Sequence, residues 1–573
     1  MVSWLSESEL RVGLGCMRLS TDEDRDEERA DATIAAAVGA GVTVFDTARA
    51  YGDNERLLAR VVRNVEGVRM VTKGGMSRAD GGWVPDGRAK AIRADCEASL
   101  EALDGLPIDL YLLHVPDPRT PWRTSVRALA RLVDDGLVRR VGVANVNRAQ
   151  LDEALDLAPI AAVQVALSPF DVAALRGAVV ERCTERGIAV IAHSPLGGPR
   201  RAGRLAQHET LARVADAHGA TPAQVALAWL LALSPEVVAI PGARRPETAR
   251  SAAAAARLTL TDDERALLAR ERGEARPERA RRRDAEVVLV MGVPGAGKSR
   301  LAEGHVARGY ERLNRDERGG SLRELAAALD ELLAAGARRI VLDNTYLTRA
   351  SRSYAVDAAA RYGASARCIW IDTPLAQAQV NLVERLLERF GSLPTPDELR
   401  VLARKEQGTL APTSQMRAFR ELERPAADEG FAAVEHVTFV RTPWRDRTRA
   451  GVFVAASALR EPGWREAVAQ GEPAAHLVFD WNPGGAPEDL ATLVDALAAE
   501  ASGPVASALC PHPGGPPTCW CRPPLPGLPL AFAREQSIDP ARSILLGTSA
   551  AHRTLATTLG AGYVQMGSRP DSA

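Results

Sequence analysis

Short apolar runs alternate with longer stretches of helical spacing along residues 1–270. The runs lie near Val12–Gly15, Val42–Phe45, Met70–Thr72, Asp109–Leu113, Arg140–Val143, Ala161–Ala166, Ile188–Ala192 and Val237–Ile240. Ala/Leu/Arg segments such as 89–103 and 124–135 separate most of them. Unbroken apolar runs suit parallel strands buried on both faces. Eight strand–helix units in this length predict an α/β fold of the (β/α)8 TIM-barrel type.

The pattern then breaks. Residues 271–284 are charged and without apolar periodicity, which reads as a solvated linker. A second α/β pattern starts at Val287–Met291 and ends near Arg445, after the run Val437–Val440. Residues 448–573 are rich in Pro, Gly and Ala and form a third segment. The expected domains are therefore 1–270, 285–445 and 448–573. A chain of 573 residues leaves room for about three to five domains.

Composition narrows the setting. The chain is 46% apolar and 25% charged, an ordinary globular balance, and its net charge of −1 gives no overall pull toward nucleic acid or membrane. No apolar stretch is long enough for a membrane span. The beginning of the chain lacks the basic and apolar regions of a secretory signal. Seven cysteines, four of them scattered, read as a reduced chain with one metal site, and a cytoplasmic location is expected. Only four lysines occur, Lys73, Lys90, Lys298 and Lys405, against a background of arginine. Lys90 and Lys405 read as surface residues.

In a barrel of this kind, side chains at the carboxyl ends of the strands converge on one mouth. Asp46, Lys73 and His114 follow such runs, and Tyr51 lies in the loop after Asp46. Together they suit carbonyl reduction. A lysine ammonium held by the aspartate would lower the tyrosine pKa, the tyrosine would protonate a developing alkoxide, and the histidine would orient the carbonyl oxygen.

The segments Asp46-Thr-Ala-Arg-Ala-Tyr51-Gly, Thr72-Lys73, Asp109-Leu-Tyr-Leu-Leu-His114, Gly142-Val-Ala-Asn145, Ala192-His-Ser-Pro-Leu-Gly197 and Ile240-Pro-Gly-Ala-Arg-Arg245 resemble the aldo/keto reductases over residues 8–270. The resemblance implies NADPH-dependent reduction of an aldehyde or ketone, with Asp46, Tyr51, Lys73 and His114 as the catalytic tetrad. It implies that Asn145 and Gln164 hold the nicotinamide carboxamide and that His193 stacks on the ring. Ser194, Leu196 and Gly197 would clasp the pyrophosphate. Arg244, Arg245 and Arg250 would grip the 2′-phosphate, favouring NADPH over NADH. Two departures are Ala144, where many members carry serine, and a short segment after Gly198 that suggests an open pocket.

In the second segment the apolar run Glu286–Met291 leads into Gly292-Val-Pro-Gly295-Ala-Gly297-Lys298-Ser299, followed by helical spacing. This is a complete P-loop signature in its strand–loop–helix setting. Backbone N–H groups of the glycine loop would wrap phosphates of ATP, Lys298 would reach the β/γ oxygens, and Ser299 would ligate Mg²⁺. Asn314-Arg-Asp316, Ile340-Val-Leu-Asp343-Asn-Thr345, Asn381 and Arg385, with Glu421-Leu-Glu-Arg-Pro425 and Phe439-Val-Arg441, resemble the 5′-polynucleotide kinases over about 285–443. The resemblance implies Asp316 as general base for the acceptor hydroxyl, Arg385 as a lid arginine, and Asp343 near the metal or acceptor. Gly319 stands where some members hold the acceptor phosphate with arginine. The acceptor therefore stays open between a nucleic-acid 5′-OH end and a small molecule.

The third segment carries Cys510-Pro-His512 and Cys519-Trp-Cys521 across a Gly/Pro turn, a spacing that can close around one structural Zn²⁺. This spacing, with Arg522-Pro-Pro-Leu-Pro-Gly527, resembles zinc-bearing sugar-phosphate and histidinol-phosphate phosphatases of the haloacid dehalogenase superfamily over 450–568. Ala455 and Ser457 stand where those enzymes need aspartates, and the late metal aspartates are missing within Gly547-Thr-Ser-Ala-Ala-His552. A degenerate module without phosphatase activity is expected. The combined expectation is a reductase fused to an ATP-dependent phosphotransferase acting in nucleic-acid end repair. The alternatives are a small-molecule reductase–kinase, or a reductase regulated by ATP- or nucleic-acid-binding modules.

Overall fold

The computed structural model describes residues 4–79, 82–271, 284–406, 408–442, 444, 446–469, 474–485 and 487–567. Most of the 271–284 linker lies outside these residues. The chain divides into two compact units, 1–277 and 278–573. Where the sequence pattern separates three segments, packing joins the last two.

The first unit contains strands β1 (Leu14–Gly15), β2 (Val44–Asp46), β3 (Arg69–Gly74), β4 (Met76–Ala79), β5 (Gly82–Pro85), β6 (Ile108–Leu113), β7 (Val141–Ala144), β8 (Ile160–Ala166), β9 (Ala189–His193) and β10 (Val237–Ile240). Eight of them pair in parallel in the order β1-β2-β3-β6-β7-β8-β9-β10. These match the eight apolar runs. The β4–β5 antiparallel hairpin is an addition. The helices Ala89–Ala102 and Trp122–Asp134 form where helical spacing predicts them. The ring is completed by Gly13 N–H donating to Ala239 O at 2.8 Å and Gly15 N–H donating to Pro241 O at 3.0 Å. Only glycines permit this squeeze, since a Cβ at Gly13 would lie 2.9 Å from Val44 and one at Gly15 2.8 Å from Ile240 O.

The amino-terminal segment plugs this barrel. Trp4 and Leu5 are buried with Val44, Val71, Leu110, Ile191 and Val238. The Trp4 indole N–H donates to Asp109 Oδ2 at 2.7 Å, and Arg140 Nη1 donates to Asp109 Oδ1 at 2.9 Å. Trp4→Ala opens a cavity and leaves Asp109 short of a donor, so a loss of about 3–5 kcal/mol is expected in denaturant unfolding of the barrel.

The second unit holds two five-stranded parallel sheets. The first consists of β11 (Glu286–Met291), β12 (Glu311–Leu313), β13 (Arg339–Asp343), β14 (Ser365–Asp372) and β15 (Ala433–Thr438), in the order β12-β13-β11-β14-β15. The last strand starts earlier than the apolar run Val437–Val440 and stops inside it at Thr438, and Val440 is exposed. The second sheet consists of β16 (Gly451–Ala455), β17 (Ala475–Trp481), β18 (Val505–Cys510), β19 (Ile544–Gly547) and β20 (Gly562–Gln565), in the order β18-β17-β16-β19-β20.

One helix, Leu375–Phe390, serves both sheets. Val380, Val383 and Leu387 pack into the core of the second sheet with Phe453, Trp520 and Leu530. On its opposite face, Ala378 packs with Val293 and Ala296, and Asn381 and Arg385 follow at helical spacing. This shared helix is why the last two segments fold as one unit.

Candidate functional sites

In the barrel, Asp46 at the end of β2 and His114 just after β6 line a cavity of about 340 Å³, and Lys73 lies buried behind Asp46. Asp46 ends β2 and Lys73 lies near the end of β3. The buried Lys73 ammonium donates to Asp46 Oδ1 at 2.7 Å and to Thr47 O at 2.8 Å. Gln164 Nε2, from β8 across the barrel, donates to the other Asp46 oxygen at 2.7 Å. Tyr51 sits on a tight turn, Arg49–Tyr51, with the Lys73 Nζ 5.3 Å from its ring centre. The Tyr51 and His114 rings meet edge to face at 5.8 Å. The sequence-predicted tetrad is thus brought together.

Electrostatics follow from burial. Burial alone would lower the Lys73 pKa, but the Asp46 carboxylate and Tyr51 outweigh it and raise it, so the ammonium is secure. Burial raises the Tyr51 pKa, and Lys73 offsets this only in part. The lysine therefore acts in the expected direction, but the tyrosine's net shift is upward. His114 is pushed down to about 3 by burial and by the nearby Lys73 and His193, which leaves it neutral. Its Nδ1 is buried with no hydrogen-bond partner among the described residues.

The expected cofactor residues line the same cavity: Asn145, Gln164, His193, Ser194 and Leu196, facing Ile240–Gly242. Asn145 Nδ2 donates to His114 O at 3.0 Å, and Asn145 Oδ1 lies 3.1 Å from His193 Nε2. Asn145 and Ser194 both have φ near +50 to +60°, a conformation that non-glycine residues hold at a cost and that clusters at functional sites. The three arginines have separate neighbours. Arg244 pairs with Asp22 at 3.3 Å and with Asp24, Arg245 lies 4.0 Å from Glu247, and Arg250 borders a separate shallow groove with Pro246 and Arg257.

Sequence reasoning missed Trp83, Arg18 and Met17, which also line the cavity. Trp83 reaches the tyrosine from the β4–β5 hairpin, with ring centres 6.0 Å apart. A tryptophan directly after Gly81-Gly82, in the loop that follows Lys73, is the sequence signal that could have found it.

In the second unit the P-loop joins β11 to the helix Lys298–Val306. Its glycines take positive φ, and a Cβ at Gly295 would lie 2.4 Å from Ala378 O. Side chains hold the loop from outside: Asn381 Nδ2 donates to Gly295 O at 2.8 Å, Gln415 Nε2 to Pro294 O at 3.0 Å, and Thr373 Oγ1 to Ala296 O at 3.2 Å. The Lys298 ammonium donates to Gly292 O and Val293 O, each at 3.0 Å. Burial pushes its pKa down to about 8; Asp343 and Asp316 pull it up and Arg385 pushes it down. Lys298, Asp316, Asp343 and Arg385 therefore share one electrostatic neighbourhood. Asp343 is buried and bound by Arg312 and by Asn314 Nδ2, the latter at 2.9 Å. Asp316 is placed by its own N–H, which donates to Asn314 Oδ1 at 2.6 Å. Ser299 stands in the first turn of the helix.

At the far end of the second unit, one ligand atom each from Cys510, His512, Cys519 and Cys521 lie within 4.8 Å of one another. Individual separations run from 3.2 Å (His512 Nδ1 to Cys521 Sγ) to 3.7 Å (Cys510 Sγ to Cys519 Sγ). At the carboxyl edge of the second sheet, Ser457, Asp480, Thr548 and His552 bond one another: Asp480 Oδ2 accepts from Ser457 N–H at 3.1 Å, and Asp480 Oδ1 lies 3.4 Å from His552 Nε2. Asp480 was not singled out from sequence, since it closes a different strand from Ala455 and Ser457.

Comparison with known proteins agrees with this geometry. Residues 11–270 match the profile of the Aldo/keto reductase family, and residues 287–398 match that of a family described as AAA domain. The Aldo-keto reductase str7 of Strobilurus tenacellus is 31% identical over 273 residues, covering 42% of this chain and 80% of its own length. An uncharacterized oxidoreductase of Schizosaccharomyces pombe is 30% identical over 285 residues, covering 48% and 90%. Probable aldo-keto reductase 1 of Glycine max is 31% identical over 265 residues, covering 40% and 76%. Through its barrel the chain belongs to the aldo/keto reductase family, and this oxidoreductase barrel is joined to a P-loop, kinase-like domain. Among the described residues no helix is long and apolar enough to cross a membrane.

Proposed function

We propose that the barrel reduces an aldehyde or ketone with NADPH, and that the P-loop domain transfers the γ-phosphoryl group of ATP to a hydroxyl acceptor. The observation that carries the first half is that Asp46, Tyr51 and a neutral His114 line one cavity, with buried Lys73 paired to Asp46 beside the Tyr51 ring.

The residues present fit the cofactor. Two primary amides, Asn145 and Gln164, can meet a carboxamide, His193 offers a ring face, and Ser194, Leu196 and Gly198 line the cavity wall where a pyrophosphate would lie. When bound, NADPH supplies the hydride. Tyr51 then gives its proton to the carbonyl oxygen as negative charge builds there, and Lys73, held by Asp46, stabilises the tyrosinate left behind. Neutral His114 keeps an N–H to orient that oxygen. A dianionic 2′-phosphate would compete with Asp22 and Asp24 for Arg244.

In the P-loop domain Lys298 would swing from its own loop carbonyls to the phosphates, and Ser299 would hold Mg²⁺. Asp316 would accept the proton of the attacking hydroxyl and Arg385 would neutralise the transferring group. The four clip ligands fit Zn²⁺, since tetrahedral bonds of about 2.0–2.3 Å set ligand–ligand separations of roughly 3.3–3.8 Å. With every ligand position filled by protein, the ion would be structural.

The test pairs two assays on the full chain. NADPH should be preferred over NADH by about tenfold or more with a generic aldehyde, and Arg244→Ala should narrow the gap; equal use by the wild type would remove the NADPH assignment. Labelled γ-phosphate should move to 5′-OH oligonucleotides if the acceptor is a nucleic-acid end. Transfer to sugars alone makes the domain a small-molecule kinase, and nucleotide binding without transfer makes it a regulatory module.

A further inference from the structure

We infer that the cysteine–histidine clip is a working part of the P-loop site, with Trp520 as a positioning residue. The inference rests on the phosphotransfer roles proposed above for Lys298 and Arg385. Trp520 lies between two of the clip's cysteines, Cys519 and Cys521, and its side chain is buried in the core of the second sheet, against the helix Leu375–Phe390. Its indole N–H donates to Leu410 O at 2.9 Å. Its own carbonyl is held by the N–H of Gly527 at 3.1 Å, where a Cβ would come within 2.4 Å of that oxygen.

The segment it grips, Gly408–Gln415, touches the P-loop site at both ends. Gly408 O accepts from Arg385 Nη2. Gln415, fully buried, donates to Pro294 O inside the phosphate loop. Hydrogen bonds therefore run from the clip through Trp520 to Leu410, and from that segment both to the lid arginine and to the loop that would cradle phosphate. A tetrahedral ion would fix Cys519 and Cys521, and with them the backbone that bears the indole. Without it, only weak thiol contacts hold the cluster, Cys510 Sγ lying 3.3 Å from Cys521 Sγ and 3.7 Å from Cys519 Sγ. The Leu410 carbonyl would then lose its oriented donor, and Arg385 its fixed acceptor.

Trp520→Phe keeps the buried ring and removes only the donor. Three measurements on the full chain decide the matter: zinc content, amide hydrogen exchange over 408–415, and γ-phosphoryl transfer in a double-mutant cycle with Arg385→Ala. The expected results are unchanged zinc in Trp520→Phe with faster exchange over 408–415, and the same faster exchange in zinc-stripped wild type. Transfer should fall about tenfold, with no further fall from Trp520→Phe in the Arg385→Ala background, because the indole acts through the arginine. A merely structural role would instead add in full to the arginine variant. Unchanged exchange in both the variant and the stripped protein, or full additivity, overturns the inference. If the wild type transfers no phosphoryl group while exchange still responds, the phosphotransfer reading falls and the coupling of clip to loop stands. Reductase activity, which belongs to the other unit, serves as the internal control for intact protein.

Discussion

Tyr51→Phe is expected to lower kcat for carbonyl reduction by about 10²–10⁴-fold, the usual contribution of a positioned general acid. KM and thermal stability should change little, because phenylalanine fills the same buried space beside His114 and Trp83. The loss arises at one atom. The developing alkoxide has no other proton donor of comparable placement, since Lys73 is tied to Asp46 and Thr47 O. The pH dependence should agree. With His114 held down near 3, its ionisation lies below the working range, so no limb from this histidine should appear between pH 5 and 8. Burial raises Tyr51, so the acid stays protonated to at least its ordinary value, and activity in the reductive direction should decline only in strong alkali. Steady-state kinetics with a nitrobenzaldehyde substrate across pH 5–11 checks all three points. A Tyr51→Phe enzyme of wild-type kcat would overturn the tetrad.

Lys298→Ala carries the second large effect, a fall of about 10²–10³-fold in phosphoryl transfer, comparable to losing one preorganised donor to a charged transition state. Lys298→Arg should not rescue it, because a planar guanidinium cannot turn between loop carbonyls and phosphate as a compact ammonium can. The depressed pKa adds a signature. In the free protein the ammonium is lost as pH rises through about 8, so nucleotide affinity should weaken between pH 7 and 9. Lys298→Ala should bind weakly and with no such dependence. Titration with a fluorescent ATP analogue at several pH values reads this directly. Wild-type affinity that stays flat over that range would argue that Lys298 does not meet the phosphates.

Lysine scarcity gains a physical reading from these two sites. Lys73 is fully buried and Lys298 is enclosed by its own loop, whereas Lys90 and Lys405 are exposed. In a chain that otherwise uses arginine, the two enclosed lysines stand where a small ammonium is needed.

Much of the architecture could be read from local pattern. Buried parallel strands announce themselves as apolar runs, so the eight barrel strands were legible, as was the P-loop, whose glycines are required by backbone geometry over a few consecutive residues. The tetrad was legible for the same reason: each member sits at or just after a strand end, and strand ends in a barrel meet at one mouth.

What the chain could not disclose locally concerns partners distant in sequence. Arg244 was expected to wait for a phosphate, yet Asp22 and Asp24, some 220 residues earlier in the chain, engage it. Trp83 enters the cavity on a hairpin that no strand run marks. The helix Leu375–Phe390 divides its faces between two sheets, so segments with different patterns became one packed unit. By itself, then, the sequence determined the strands and the phosphate loop, and placed the candidate site residues at strand ends, because short-range periodicity and backbone sterics encode these. Only the tertiary structure decided which charges meet and what grips Arg385. Such contacts depend on side chains brought together by packing, and spacing along the chain does not carry that information.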